Sequence, residues 1–319
     1  MIKFFLQAAF AFTMTILLSN CTFFKKNTNG SLTKPTPLSI LESFHIPLLE
    51  ISGLAWRNNP KTQKKELLAI GDREFAIVII DWSDRKEDLQ MKKIDLKSLF
   101  TPQPKEQSEW ESIYADESGR VFLIKESTSE MIALSPDLKK IDFISKLELS
   151  SNAQNDDSNS GLEGLMLLKN GHFLALKEKN PIRLFEFAPK GEKALGHQPS
   201  FSIEHTGVFP FNKDKPEFNL VKTLELKSDE ERLMEDASGV NTDKEGNLYL
   251  LGDQRKLIVS LGKNINAKDK HIKIISAWSI PKKLKQPEGM VIDLEGHPII
   301  AIDNKKKKKP NLFKLSRLK

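Results

Sequence analysis

The chain has 319 residues, with 49 Lys and Arg against 43 Asp and Glu for a net charge of +6, and a single Cys. That length holds one large domain or two ordinary ones, while one Cys excludes an internal disulfide framework, a Cys-cluster zinc site and a thioredoxin-type pair. A polytopic membrane protein is excluded by 39% apolar residues with 16 Gly and 16 Pro, and nucleic-acid binding by the uneven charge: Lys3 and the run Lys305–Lys309 carry the whole surplus.

Residues 1–20 read as an export signal. Lys3 precedes an uncharged, mostly apolar run from Phe4 to Leu18, shorter than a bilayer span needs. The run ends at Leu18-Ser19-Asn20-Cys21, which resembles a bacterial lipoprotein signal with Cys21 as the acylated residue. Asn20 departs from the small residue usual before that Cys, and an ordinary signal peptide with an incidental Cys is the alternative. Residues 21–38 are polar beyond two Phe and carry Gly and Pro, as suits a tether between a lipid and a domain. A lipid-anchored protein of the bacterial cell envelope, at the outer membrane, is expected.

From residue 39 onward one pattern recurs five times. Its anchors are Ile51-Ser52-Gly53-Leu54, Trp110-Glu111-Ser112-Ile113, Leu162-Glu163-Gly164-Leu165, Ala237-Ser238-Gly239-Val240 and Pro287-Glu288-Gly289-Met290. Each anchor starts an apolar, strand-like run. In four copies a turn containing Gly follows early, as a tight hairpin demands. A second apolar run then ends at an acid. From the small third anchor residue to that acid the spacing is 14 residues in four copies: Ser112 to Glu126, Gly164 to Glu178, Gly239 to Asp253 and Gly289 to Asp303. The first copy, Gly53 to Asp72, spans 19 because a polar insertion lengthens its turn. Third runs follow at Ala76–Ile80, Met131–Leu134, Arg183–Phe187, Leu257–Leu261 and Leu312–Leu315.

Strand, turn, strand, acid, strand at this period predicts an all-β propeller over residues 39–319 with one antiparallel sheet per repeat. Five blades are expected, or six if residues 188–234 form a degenerate blade rather than an elaborated loop. Residues 40–48 form a strand without a repeat of their own, and the last repeat lacks a fourth strand. Pairing those two would close the ring.

Hairpin geometry brings both acidic positions to one mouth of the ring: Glu111, Glu163 and Glu288 with Ser52 and Ser238 in the equivalent places, then Asp72, Glu126, Glu178, Asp253 and Asp303. Eight carboxylates there must be partly protonated or neutralised by a cation, and hard oxygen donors favour Ca²⁺. Solvated strand ends are the bland alternative. The loop Asn155–Gly161, dense in oxygen side chains, and Glu235 and Asp236 are further candidate donors. Six scattered His offer no metal-ligand spacing, no His or Lys stands committed to the acids, and the four Trp are assigned to blade cores. The Lys305–Lys309 run is a solvated hairpin tip or a perch for phosphate groups.

The segments Gly161-Leu-Glu-Gly-Leu through Glu178, Asp236-Ala-Ser-Gly-Val through Asp253 and Pro287-Glu-Gly-Met through Asp303 resemble the SdiA-regulated family of bacterial envelope propellers, distantly similar to NHL-repeat proteins. The resemblance covers roughly residues 45–317 and implies five blades, a calcium site on the channel and no established catalytic activity. Two functional readings follow. One is a monomeric calcium-binding lipoprotein presenting its mouth to a protein or small-molecule ligand, with no nucleic-acid role. The other is a Ca²⁺-dependent hydrolase, since related propellers include lactonases and phytase-like phosphoesterases; Glu163 or Glu288 would then be the general base. No nucleophile elbow, zinc-protease helix or phosphate loop is present.

Overall fold

The computed structural model describes residues 34–82, 89–100, 107–149, 161–200, 207–212, 216–304 and 309–319. The chain opens with two short strands, β1 (Thr36–Pro37) and β2 (Ile40–Phe44). The first blade is β3 (Ile51–Asn58), β4 (Lys65–Gly71), β5 (Ala76–Asp81) and β6 (Met91–Asp95); the second is β7 (Trp110–Ala115), β8 (Val121–Lys125), β9 (Glu130–Leu134) and β10 (Ile141–Lys146). The third begins with β11 (Leu162–Leu167), β12 (Phe173–Lys177) and β13 (Arg183–Pro189). Then come β14 (Gly196–His197), β15 (Phe218–Leu226) and the helix α1 (Ser228–Met234). The fourth blade has β16 (Gly239–Thr242), β17 (Leu248–Gly252) and β18 (Leu257–Gly262), and after β19 (Ile265–Asn266) and β20 (His271–Ile272) it gains β21 (Ser276–Ser279). The fifth is β22 (Pro287–Ile292), β23 (Pro298–Ile302) and β24 (Leu312–Leu315).

Five antiparallel blades result, and the six-blade alternative falls away. β2 pairs antiparallel with β24 and supplies the fourth strand that the last repeat lacks. The ring closes as expected. Thr36–Pro37, at the end of the segment read as a tether, adds a parallel outer strand beside β21. The excursion 188–234 is neither a plain loop nor a blade. It returns as β15 to complete the third blade, pairing with β13, and then forms α1. On the way, β14 pairs with β19, and the Phe209 amide donates to the Asp116 carboxylate at 3.1 Å, tying the excursion to a turn of the second blade.

Both faces of each blade are covered, so strands such as Val121–Ile124 and Leu248–Leu251 are continuously apolar rather than alternating. The core is therefore distributed between blades. Val78, Leu67 and Trp56 pack with Val291, Ile299 and Ala301 of the fifth blade, and Trp56 Nε1 donates to the Ile292 carbonyl at 2.8 Å. The four Trp are buried, as assigned, and Trp56 and Trp82 meet edge to face at 5.7 Å.

Inner strands β3, β7, β11, β16 and β22 touch in that order, and β22 returns to β3. Their small anchor residue explains the approach. A Cβ added at Gly164 would stand 2.6 Å from Val240 of the next blade and 2.8 Å from Leu176. At the far end, the turn glycines Gly119, Gly246 and Gly296 have φ of 80, 78 and 85°, and the preceding Asp243 and Asp293 carboxylates each accept two backbone amides of their own turn. Gly164→Ala is expected to destabilise the protein by about 1–3 kcal/mol through overpacking, measured by urea unfolding.

Candidate functional site

Each first strand runs from the mouth to the turn, and each second strand runs back, so anchor and terminal acid finish side by side. The backbone fixes this repeatedly. The amides of Asp72, Glu126, Glu178 and Asp303 donate to the carbonyls of Glu50, Glu109, Gly161 and Gln286, two residues before the second anchor position, at 2.8–3.4 Å. Three of those residues, Glu50, Glu109 and Gln286, adopt left-handed φ of 48–51° and turn the chain sharply into the inner strand. A register irregularity follows directly in β3, β7, β11 and β22, at Ser52, Glu111, Glu163 and Glu288. Such bulges re-aim a side chain at the expense of regular pairing.

The eight carboxylates separate into two groups. Glu111, Glu163 and Glu288 are half-buried, and their carboxylates make no hydrogen bond or ion pair among the described residues. Burial, and then the Glu126 carboxylate, push Glu111 up to about 8. Glu163 is held well above the usual carboxylate range by burial, then by Glu111, Glu126, Glu288 and Glu178. Glu288 is raised likewise by burial, then by Asp253, Glu111, Asp236 and Asp303. These three are the centre of one mutually repelling ring.

Four of the outer five are each supported by a hydrogen bond or ion pair. Lys179 pairs with Glu178 at 2.7 Å, Lys256 pairs with Asp253, the Gly161 amide donates to Glu126 at 3.1 Å and Gln286 Nε2 donates to Asp303 at 3.2 Å. Burial and Glu50 raise Asp72 to about 6 against the opposing Arg73, which pairs with Glu50; one Asp72 oxygen is buried without a hydrogen bond. The expectation that no Lys stands committed to the acids is corrected by Lys179 and Lys256. Both follow closely on their acids in sequence and fold back across the strand end.

Of the further candidates, Asp236 joins the ring, raised to about 6 chiefly by burial, while two amide contacts from Gln254 oppose the shift. Glu235 instead pairs with Arg255 at the rim. Asn155–Ser160, Cys21 and Lys305–Lys308 lie outside the described residues. Glu50 and Glu109 were missed, and their signal was available: each stands two residues before an anchor position already singled out. The histidines act elsewhere. His172 Nδ1 donates to buried Glu186 at 2.8 Å and His297 Nδ1 to the Leu315 carbonyl at 2.9 Å, both at the turn end opposite the acids.

The donor set at the mouth is all carboxylate oxygen, chemistry that fits a hard cation such as Ca²⁺ and not zinc or copper. Among the described residues, no three His, Cys, Asp or Glu close around a common point as a ready-made metal cage. The ring is a cluster of carboxyl groups, several of them raised above the usual carboxylate range, rather than a finished chelate.

The raised carboxyl groups set a pH dependence. A folded chain that keeps protons the unfolded chain releases loses stability as pH rises through the folded-state values. Without added metal, stability is expected to fall from the ordinary carboxylate range up to about pH 8, where Glu111 ionises. Glu111→Gln should flatten that slope in denaturation measured across pH.

A family model described as SdiA-regulated matches residues 48–313, most of the chain. No curated protein matches. Among solved structures, glutaminyl cyclase from Myxococcus xanthus is similar at 10% identity and TM-score 0.51, over 89% of this chain and 98% of its own. Regucalcin from Agrobacterium tumefaciens, a calcium-binding protein, is similar at 9% identity and TM-score 0.49, over 90% and 96%. Identities this low speak for the fold and not for chemistry. The extent of the family match carries the assignment: the chain belongs to the SdiA-regulated family.

Proposed function

We propose that this propeller is a lipid-anchored envelope module whose acidic mouth binds a hard cation, Ca²⁺ first among them, and through it a ligand. The observation that carries this reading is the ring itself: three half-buried glutamates without a hydrogen-bond or ion-pair partner among the described residues, each raised first by burial and then by neighbouring carboxylates. Residues kept in such a costly arrangement have a use for it. Glu111, Glu163 and Glu288 would hold the cation, with Asp72, Glu126, Glu178, Asp236, Asp253 and Asp303 available around them. When bound, the cation supplies positive charge that a polar or anionic ligand group can meet.

The hydrolase alternative fares less well on the same ring. A general base must be ionised, and burial, then the neighbouring carboxylates, work against ionisation of Glu163 and Glu288. No His among the described residues stands beside them to orient or relay a proton. The binding reading needs neither. The anchor rests on Lys3, the apolar run and Cys21 in the sequence; no helix among the described residues is long and apolar enough to cross a membrane.

Ca²⁺ at about a hundred times its dissociation constant should stabilise the protein by about 2.7 kcal/mol, and chelator should remove the gain. An equal melting temperature in both conditions defeats the cation site. Radiolabelled fatty acid should be incorporated by the wild-type chain and not by Cys21→Ser; equal labelling defeats the anchor.

A further inference from the structure

The second anchor position carries Ser52, Glu111, Glu163, Ser238 and Glu288 in blade order. The two serines behave alike. Ser52 donates its hydroxyl to the carbonyl of Trp110, the residue immediately before Glu111 in the next blade. Ser238 donates to the carbonyl of Pro287, immediately before Glu288 in the next blade, at 2.7 Å. Both serines are buried, 5% and 4% exposed, so neither hydroxyl is a surface ornament. The fourth blade touches the same strand a second time: a Cβ added at Gly239 would stand 3.1 Å from the Glu288 carbonyl oxygen.

These bonds fall where the ladder is irregular, between Trp110 and Ser112 and between Pro287 and Met290. A buried carbonyl at a bulge needs a donor that regular pairing no longer guarantees. The serine hydroxyl supplies one from the neighbouring blade. It thereby fixes the peptide plane from which the glutamate departs, and with it the direction of that side chain.

We infer that Ser52 and Ser238 are positioning residues of the mouth, Ser52 for Glu111 and Ser238 for Glu288. The mixture of Ser and Glu at one repeat position is then a division of labour, in which a serine in one blade aims the glutamate of the next. Glu163 has no such serine, because the blade before it carries Glu111 at that position. This inference rests on the reading of the ring as the functional site, and its test is metal-free so that the two can fail separately.

In the full chain with Cys21→Ser, in chelator, single reporters Glu111→Cys, Glu163→Cys and Glu288→Cys are reacted with a charged aromatic disulfide, with and without the serine changes. Ser52→Ala is expected to alter the rate at position 111 by about fivefold or more, and Ser238→Ala the rate at 288, as loss of a buried hydrogen bond would. Each should leave the other two reporters within about twofold. Ser→Thr, which keeps the hydroxyl, should restore the parent rate. A change shared by all three reporters means general loosening and overturns the inference, as does no change at any of them. A wild-type chain whose melting ignores Ca²⁺ would count against the cation reading alone, and the reporter pattern would still decide the positioning.

Discussion

Where blade meets blade at the centre of the ring, a residue without a side chain faces an apolar one from its neighbour. An added Cβ at Gly53 would meet Ile113, at Gly164 Val240, and at Gly289 Leu54, each within about a van der Waals contact or closer. Two inner strands can approach this closely only if one of them yields its Cβ. The contact holds at three of the five junctions, Gly239 faces the Glu288 carbonyl oxygen instead, and Ser112 is the small anchor of the second blade, so the ring is narrow because its anchors are small. The antiparallel closure of β2 on β24 holds the last blade in that circle. Everything at the mouth inherits this geometry: the residue beside each small anchor is carried toward the same axis.

Narrowness sets the electrostatics. A wider ring would let water separate Glu111, Glu163 and Glu288; here burial is the first cause of each shift and neighbouring carboxylates the next. The chain relieves the outer acids with Lys179, Lys256 and backbone amides, and it relieves Glu50 with Arg73. Among the described residues no cation forms an ion pair with the inner three. Since local conflicts of this kind are removed where nothing needs them, the omission is the most informative feature of the site.

Much of this was legible in the sequence, because the repeat constrains it twice. The equal spacing from Gly164 to Glu178, Gly239 to Asp253 and Gly289 to Asp303 encodes hairpins of one length, and equal hairpins place equivalent residues at equivalent heights. Blade number, ring closure and the shared mouth follow. What stayed hidden has no periodic signature. β15 and α1 lie beyond a long polar excursion, and their partners, β13 and the Ile274 amide that donates to Glu230, are set by tertiary contact. The pairing of Lys179 with Glu178 depends on the chain folding back after the strand. The bulges at Glu111 and Glu163 need the register of a second strand before they exist at all. Ser52 and Ser238 read as faded copies of Glu until their hydroxyls are seen to bond across blades.

A ring of carboxylates can shed its repulsion in two ways, by taking up protons or by taking up a cation, and the two compete for the same oxygens. Glu111, raised to about 8, and Asp72 and Asp236, raised to about 6, place that competition between about pH 6 and pH 8. On the proposed reading, a bound divalent ion must displace protons held by several of these groups, so occupancy depends on pH more steeply than one carboxylate would allow. A preformed cage would not behave this way, since its ligands would already be ionised and aligned. Among the described residues no three such donors converge. On that reading, charge and convergence at the inner three glutamates would develop together as a cation binds.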